Sequence, residues 1–223
     1  MSEEVKKRLI NILMAILTVI GLALIFNEQI KSFIVDHMQE QALEQPLNHD
    51  HNHGDFDASN VKAVTPQDIL KASLKKSEGA IGKIAIPYVG LKLPIFYGMD
   101  QNNMLRGACT MRPNEKMGMQ GNYTLAGHHM MDNQILFGPL QNVKKGNLIF
   151  LTNGSKVYTY TITSTQVVSE YQTQWIDNSP KGHYLTLVTC ASGHVGETRR
   201  IIVRGALTSV QKVNHENLKE FEK

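Results

Sequence analysis

From Leu9 to Asn27 the chain carries no charged residue, and no other stretch of its 223 residues constrains its organisation as tightly. The apolar core of that run, Leu9 to Phe26, makes a helix of roughly 27 Å at about 1.5 Å per residue. A bilayer's hydrocarbon core is about 30 Å thick. A helix lying on a soluble core shows a polar face, and this run shows none. Lys6, Lys7 and Arg8 precede it, so the positive-inside rule places residues 1–8 in the cytoplasm and everything after the span outside. The expectation is a single-pass anchor over 9–27. Gly21-Leu22-Ala23 offers a small-x-small cleavage site, which keeps a removable signal peptide as the alternative. Against it, Leu24-Ile25-Phe26 carries the apolar run through that site.

Residues 28–60 read as a His-rich stalk. Glu28 to Gln45 continues as a polar helix that ends before Pro46. The following Asn48–Asp57 stretch has almost nothing to bury and reads as a solvated linker. His49, His51 and His53 alternate within it, which leaves a weak transition-metal site, and with it a membrane metal-binding protein, as a second reading. Residues 61–223 then form one extracytoplasmic domain. Thr65 and Pro66 open a short amphipathic helix to Ser77 with Ile69, Leu70 and Leu74 on one side.

After that helix the pattern turns to period two. Strands are expected at 81–86, 91–96, 123–126, 148–151, 157–168, 184–190 and 201–207, with Asn153-Gly154 as a hairpin turn. Short helical turns fit 101–105 and 133–140. Seven or eight strands with few helices indicate a mainly β fold, a closed antiparallel barrel. The composition is that of a globular protein, 42% hydrophobic and 19% charged. The net charge of +3 is scattered without a basic run, which argues against nucleic acid as a partner.

Two cysteines, Cys109 and Cys190, leave a disulfide or a free thiol open. Cys190 closes the apolar strand Thr186-Leu187-Val188-Thr189-Cys190, a rigid platform that opens onto the turn Ala191-Ser192-Gly193. Leu125-Ala126-Gly127-His128-His129 ends another strand in the same way, and Arg199-Arg200 opens the strand after the cysteine loop. A sulfur nucleophile, a proton carrier and a donor for the oxyanion are the parts that acyl transfer needs. Three strand ends at one rim of a barrel bring them together. Strand alternation turns Arg199 and Arg200 to opposite faces, so only one serves.

Those segments carry a resemblance. The T-L-V-T-C box at 186–190 resembles the T-L-x-T-C signature of the sortases. A-G-H at 126–128 and R-I-I-V at 200–203 resemble that family's other two catalytic segments, with Cys190 lying 62 residues after His128 and 10 before Arg200. The likeness runs from about Ala80 to Leu207 and is greatest to class A, the housekeeping members in Gram-positive bacteria. It implies a sortase-type barrel whose Cys190 cleaves an L-P-x-T-G (LPXTG) sorting signal between Thr and Gly through a thioester. His128 would move the protons and Arg200 would hold the oxyanion. The acceptor would be the stem amine of a cell-wall precursor, lipid II. Ala126, Val188 and Thr189 would contact the sorting signal, and residues 169–183, with Trp175 and Pro180, would form the loop over it. His128 is preferred to His129, and Arg200 to Arg199, by their place in the motifs. The resemblance implies no cofactor. The stretch 99–123, where some class A members bind calcium, offers only Asp100 and Glu115, too few carboxylates for a hard cation. A thiol hydrolase releasing product to water shares every catalytic residue, and a Cys109–Cys190 disulfide would instead make a binding module.

Overall fold

Apolar side chains alternate along the strands, and the chain closes them on one another rather than leaving an edge. A computed structural model describes residues 3–48, 54–77, 79–179 and 181–222. The eight strands among them are β1 (Gly82–Ile86), β2 (Leu91–Phe96), β3 (Ala108–Thr110), β4 (Gly121–Ala126), β5 (Leu148–Thr152), β6 (Lys156–Ser169), β7 (His183–Cys190) and β8 (Arg199–Lys212). They form a closed barrel in the order β1-β2-β3-β4-β7-β8-β6-β5. Closure pairs every interior strand edge, which removes the unsatisfied N–H and C=O groups an open sheet exposes. Tyr123, Leu125, Leu185, Leu187 and Val203 are at most 1% exposed and fill the interior.

The barrel has the closure and strand number that the sequence pattern implies, but its sheet is mixed. β2 runs parallel to β3 and β4 parallel to β7, and the other six pairings are antiparallel. Parallel neighbours need a crossover instead of a tight turn. The crossover between β2 and β3 holds the short helix Gln101–Met104, and that between β4 and β7 holds the whole β5–β6 hairpin. At the hairpin tip Gly154 has φ +81°, and the Asn153 carboxamide oxygen accepts from the N–H groups of Ser155 and Lys156.

Helix α1 spans Glu3–Ile25 with no buried residue, and its length and apolarity make it a candidate membrane anchor. Helix α2 (Asn27–Glu44) follows after one irregular residue, Phe26. The i→i−4 bonds carry on across that residue, from Phe26 N–H to Leu22 C=O (3.0 Å) and from Ile30 N–H to Phe26 C=O (2.9 Å). Helix α3 (Pro66–Leu74) starts with the expected cap: Thr65 Oγ1 accepts from Asp68 N–H, and the Asp68 carboxylate accepts from Thr65 N–H.

Helix α2 carries an apolar face that the polar reading of Glu28–Gln45 did not anticipate. Val35, Met38 and Ala42, at 0%, 5% and 2% exposure, form one buried stripe. Val35 and Met38 join the main core, and Gln39 Oε1 accepts from the Leu136 N–H at 3.2 Å. Residues 54–60 also lie on the barrel, with the Asp55 carbonyl accepting from Met99 N–H and the Phe56 ring edge-on to Tyr97 at 5.0 Å. His49, His51, His53 and Pro180 lie outside the described residues.

Burying a Val or Met side chain is worth about 1.5–3 kcal/mol, from which the ordering of α2 must be subtracted. A chain of residues 27–223 should therefore melt above one of residues 61–223. A net gain of 2 kcal/mol corresponds to about 4–8 °C in a chain this size. Equal melting temperatures in calorimetry would show that α2 does not dock.

Candidate active site

Because β4 and β7 are parallel, their C-terminal ends lie at the same rim. Ala126 faces Val188 in the register, so the two chains leave the sheet side by side, toward Gly127-His128 and Thr189-Cys190. Gly127 N–H donates to the Val188 carbonyl (3.1 Å), and the Thr189 hydroxyl donates to the Gly127 carbonyl (2.8 Å). Lower in the pair the Thr186 hydroxyl donates to Asn122 Oδ1 (2.8 Å). β8 returns antiparallel and pairs Cys190 directly with Arg200. The three residues singled out in the sequence thus meet at one rim, and all three line a single cavity of about 560 Å³.

Position 127 admits only glycine. A Cβ there would stand 2.7 Å from the Phe137 ring. That ring is fully buried, and Phe137 N–H donates to the His128 carbonyl (3.0 Å). The preceding residue, Leu136, has φ +50°, a left-handed conformation that a Leu side chain adopts only under constraint. Its N–H is the group that Gln39 of α2 accepts from.

The neighbouring histidines are in different situations. His129 Nδ1 donates to the Cys190 carbonyl (2.8 Å), and its Nε2 lies 2.8 Å from Asn133 Oδ1. Both its ring nitrogens are engaged, one on the cysteine's backbone carbonyl and the other on the Asn133 side chain. His128 is buried, and its Nε2 is a buried polar atom with no hydrogen-bond partner. Burial holds the His128 imidazole down to about 4, against the opposing charge of Asp68. The Cys190 thiol is pushed above the ordinary thiol range, first by burial and then by Glu197 and Glu170, while Arg200 pulls the other way. At neutral pH both resting groups are therefore uncharged.

The two arginines also separate. Arg199 is exposed and grips the Glu197 carboxylate with Nε and Nη2, each at 3.0 Å. That carboxylate also accepts from Ser192 Oγ and is held down to about 2, chiefly by Arg199. Arg200, half-buried, donates from Nη1 to the carbonyls of Glu197 (2.7 Å) and Arg199 (3.0 Å) and from Nη2 to Glu170 Oε2 (2.6 Å).

Ala126 and Val188 line the cavity, as does Thr189, whose hydroxyl is already committed to Gly127. Sequence reasoning missed several other walls. Glu28 and Lys31 from α2, residues 61–64, and Met99, Met104 and Met111 all border the cavity. Val61 and Val64, apolar residues just ahead of α3, were the available signal. Both cysteines are free. Cys109 is fully buried in β3, where desolvation pushes its thiol well up. The two acids of residues 99–123 serve the fold: Asp100 caps the helix at 101–104, and Glu115 accepts from Thr124 N–H and Oγ1.

The sortase domain model matches residues 84–208. The chain belongs to the sortase family. It is 38% identical to sortase A of Listeria monocytogenes over 90% of this chain and 92% of that protein. It is also 38% identical to sortase A of Streptococcus agalactiae, over 88% and 83% respectively. The solved structure of the Listeria sortase A superposes with a TM-score of 0.62 at 41% identity, covering 65% of this chain and 98% of that one.

A neutral buried imidazole makes the fold acid-sensitive. Between the ordinary 6.5 and the folded value of about 4, the unfolded chain holds the extra proton, so stability falls as pH drops through that window. From pH 7 to 4.5 the loss assignable to His128 is about 2–3 kcal/mol. Denaturant unfolding at the two pH values should show that loss in the wild type and not in His128→Asn. The same loss in both proteins would mean that His128 is not held neutral.

Proposed function

We propose that this chain is a membrane-anchored cysteine transpeptidase that acts on L-P-x-T-G-type sorting signals. The observation carrying the reading is the meeting of Cys190, Arg200 and the unpartnered His128 Nε2 in one cavity. Cys190 attacks the Thr–Gly carbonyl carbon. As the tetrahedral intermediate forms, Arg200 donates to the oxyanion in a water-poor site where such bonds are strongest. His128 Nε2, free of any other bond, takes the thiol proton and returns it to the departing glycine amine. The resulting thioester is opened by an amine of a cell-wall precursor, a lipid II stem peptide, with His128 accepting that amine's proton. Ala126 and Val188 present apolar surface to the signal's Leu and Pro, and Thr189 stiffens that wall. His129 and Arg199 are supports, already bonded to the Cys190 carbonyl and to Glu197.

In this reading residues 9–27 anchor the chain once, residues 1–8 stay in the cytoplasm behind Lys6, Lys7 and Arg8, and residues 61–223 do the chemistry outside. Residues 28–60 join the two and, through α2, brace the barrel. The free Cys109 and Cys190 thiols favour this over a disulfide-stapled binding module.

The test is mass spectrometry of the detergent-solubilised full chain mixed with an L-P-x-T-G peptide. An acyl adduct on Cys190 is expected, and added amine should give the amide in preference to the acid. Acid alone would make the protein a hydrolase. Cys190→Ala should abolish turnover, while Cys109→Ala keeps most of it. His128→Ala should lose about 10²–10⁴-fold and Arg200→Ala about 10²–10³-fold in kcat. Adduct formation by Cys190→Ala would overturn the assignment.

A further inference from the structure

We propose that Glu170 is a positioning residue, holding the Arg200 guanidinium from behind the cavity so that its remaining donors face the reacting carbonyl at Cys190. The inference rests on the proposed function and deepens it. β8 lies between β7 and β6, so Arg200 has Cys190 as its neighbour on one side and Val168 on the other. Glu170 is the first residue beyond β6, and its N–H donates to the Thr198 carbonyl (2.8 Å), which fixes it beside the start of β8. Its carboxylate reaches Arg200 Nη2 at 2.6 Å from the end of β6, the neighbour of β8 opposite β7. Glu170 is not among the residues that line the cavity, whereas Arg200 and Cys190 are.

A guanidinium has five N–H donors. Among the described residues, Arg200 uses three, two on backbone carbonyls and one on Glu170. That leaves Nε–H and one Nη2–H, donors on two nitrogens of the same planar group, for a substrate oxygen. Among the described residues Glu170 is the carboxylate paired with Arg200, while the neighbouring Glu197 carboxylate accepts from Arg199 and Ser192. The same carboxylate raises the Cys190 thiol. Removing it should thus favour the thiolate while disturbing the oxyanion donor, two effects of opposite sign on the reaction.

The experiment compares wild type, Glu170→Gln, Glu170→Ala, Glu170→Asp and Glu170→Ala/Arg200→Ala as full chains in detergent. Displacing a catalytic group by about 1 Å costs about 100-fold, so Gln and Ala should lower kcat for acylation about 10- to 100-fold, with the peptide KM and melting temperature near wild type. Asp should recover part of the loss. Iodoacetamide alkylation of Cys190 should move to lower pH in Glu170→Gln even as acylation slows, a pairing that general structural damage does not produce. The double variant should be no slower than Arg200→Ala, because a residue acting only through Arg200 has nothing left to position. Unimpaired Gln and Ala variants, or fully additive losses in the double variant, would overturn the inference while leaving the proposed function intact. A wild type that forms no adduct would overturn both.

Discussion

The parallel seating of β4 on β7 is the constraint on which the rest of the site depends. Ala126 faces Val188 in that pairing, so the strand carrying His128 and the strand carrying Cys190 run out at the same rim. Were the pair antiparallel, the six-residue length of β4 would carry His128 to the far end, about 20 Å away at 3.3 Å per residue. The register is pinned on both sides of the sheet. Thr186 bonds Asn122 on the face opposite Leu185 and Leu187, and Thr189 bonds the Gly127 carbonyl at the rim. A slip of one residue would turn Tyr123, Leu125, Leu185 and Leu187 out of the core. The core and the site are therefore specified by the same hydrogen bonds.

Burial explains both the readiness and the restraint of the chemistry. The rim is dry enough to hold His128 neutral and to keep Cys190 protonated at rest. Two uncharged groups face the cavity until a substrate arrives, and the Arg200 cation beside the sulfur pulls its thiol the other way. A thiol kept in this state is less open to adventitious alkylation or oxidation than a resting thiolate. The second cysteine shows the limiting case: in β3, with no cation to help it, Cys109 is an apolar core residue.

Much of this was legible from residue order. The alternation in β1, β2 and β7, the Thr65–Pro66 helix start and the Thr-Leu-Val-Thr-Cys strand end are local signals, set by neighbours a few positions apart. Features made by distant contacts were not. β3 is three residues long and has no room for a period. The parallel pairings depend on crossovers, which alternation does not encode. α2 reads as polar because its buried stripe of Val35, Met38 and Ala42 is one residue wide. Glu170, a lone acid after a strand, looks like a solvated chain end until Arg200 is placed against it. His128 and Arg200 were separable from their neighbours only by motif. In the folded chain the separation is physical: both ring nitrogens of His129 are bonded, and Arg199 is exposed on Glu197 whereas Arg200 lines the cavity.

The positive φ of Leu136 gives α2 a reach beyond its own packing. Gln39 accepts from the amide of that strained residue, and the next amide in the chain holds the His128 carbonyl. Cutting the chain just before the barrel would strip the acceptor from Leu136 and let its backbone relax toward an ordinary conformation, drawing on the loop that carries the imidazole. Rates measured on such a fragment would belong to a slackened enzyme. The helix that follows the candidate anchor would then act as a tuning peg for the histidine.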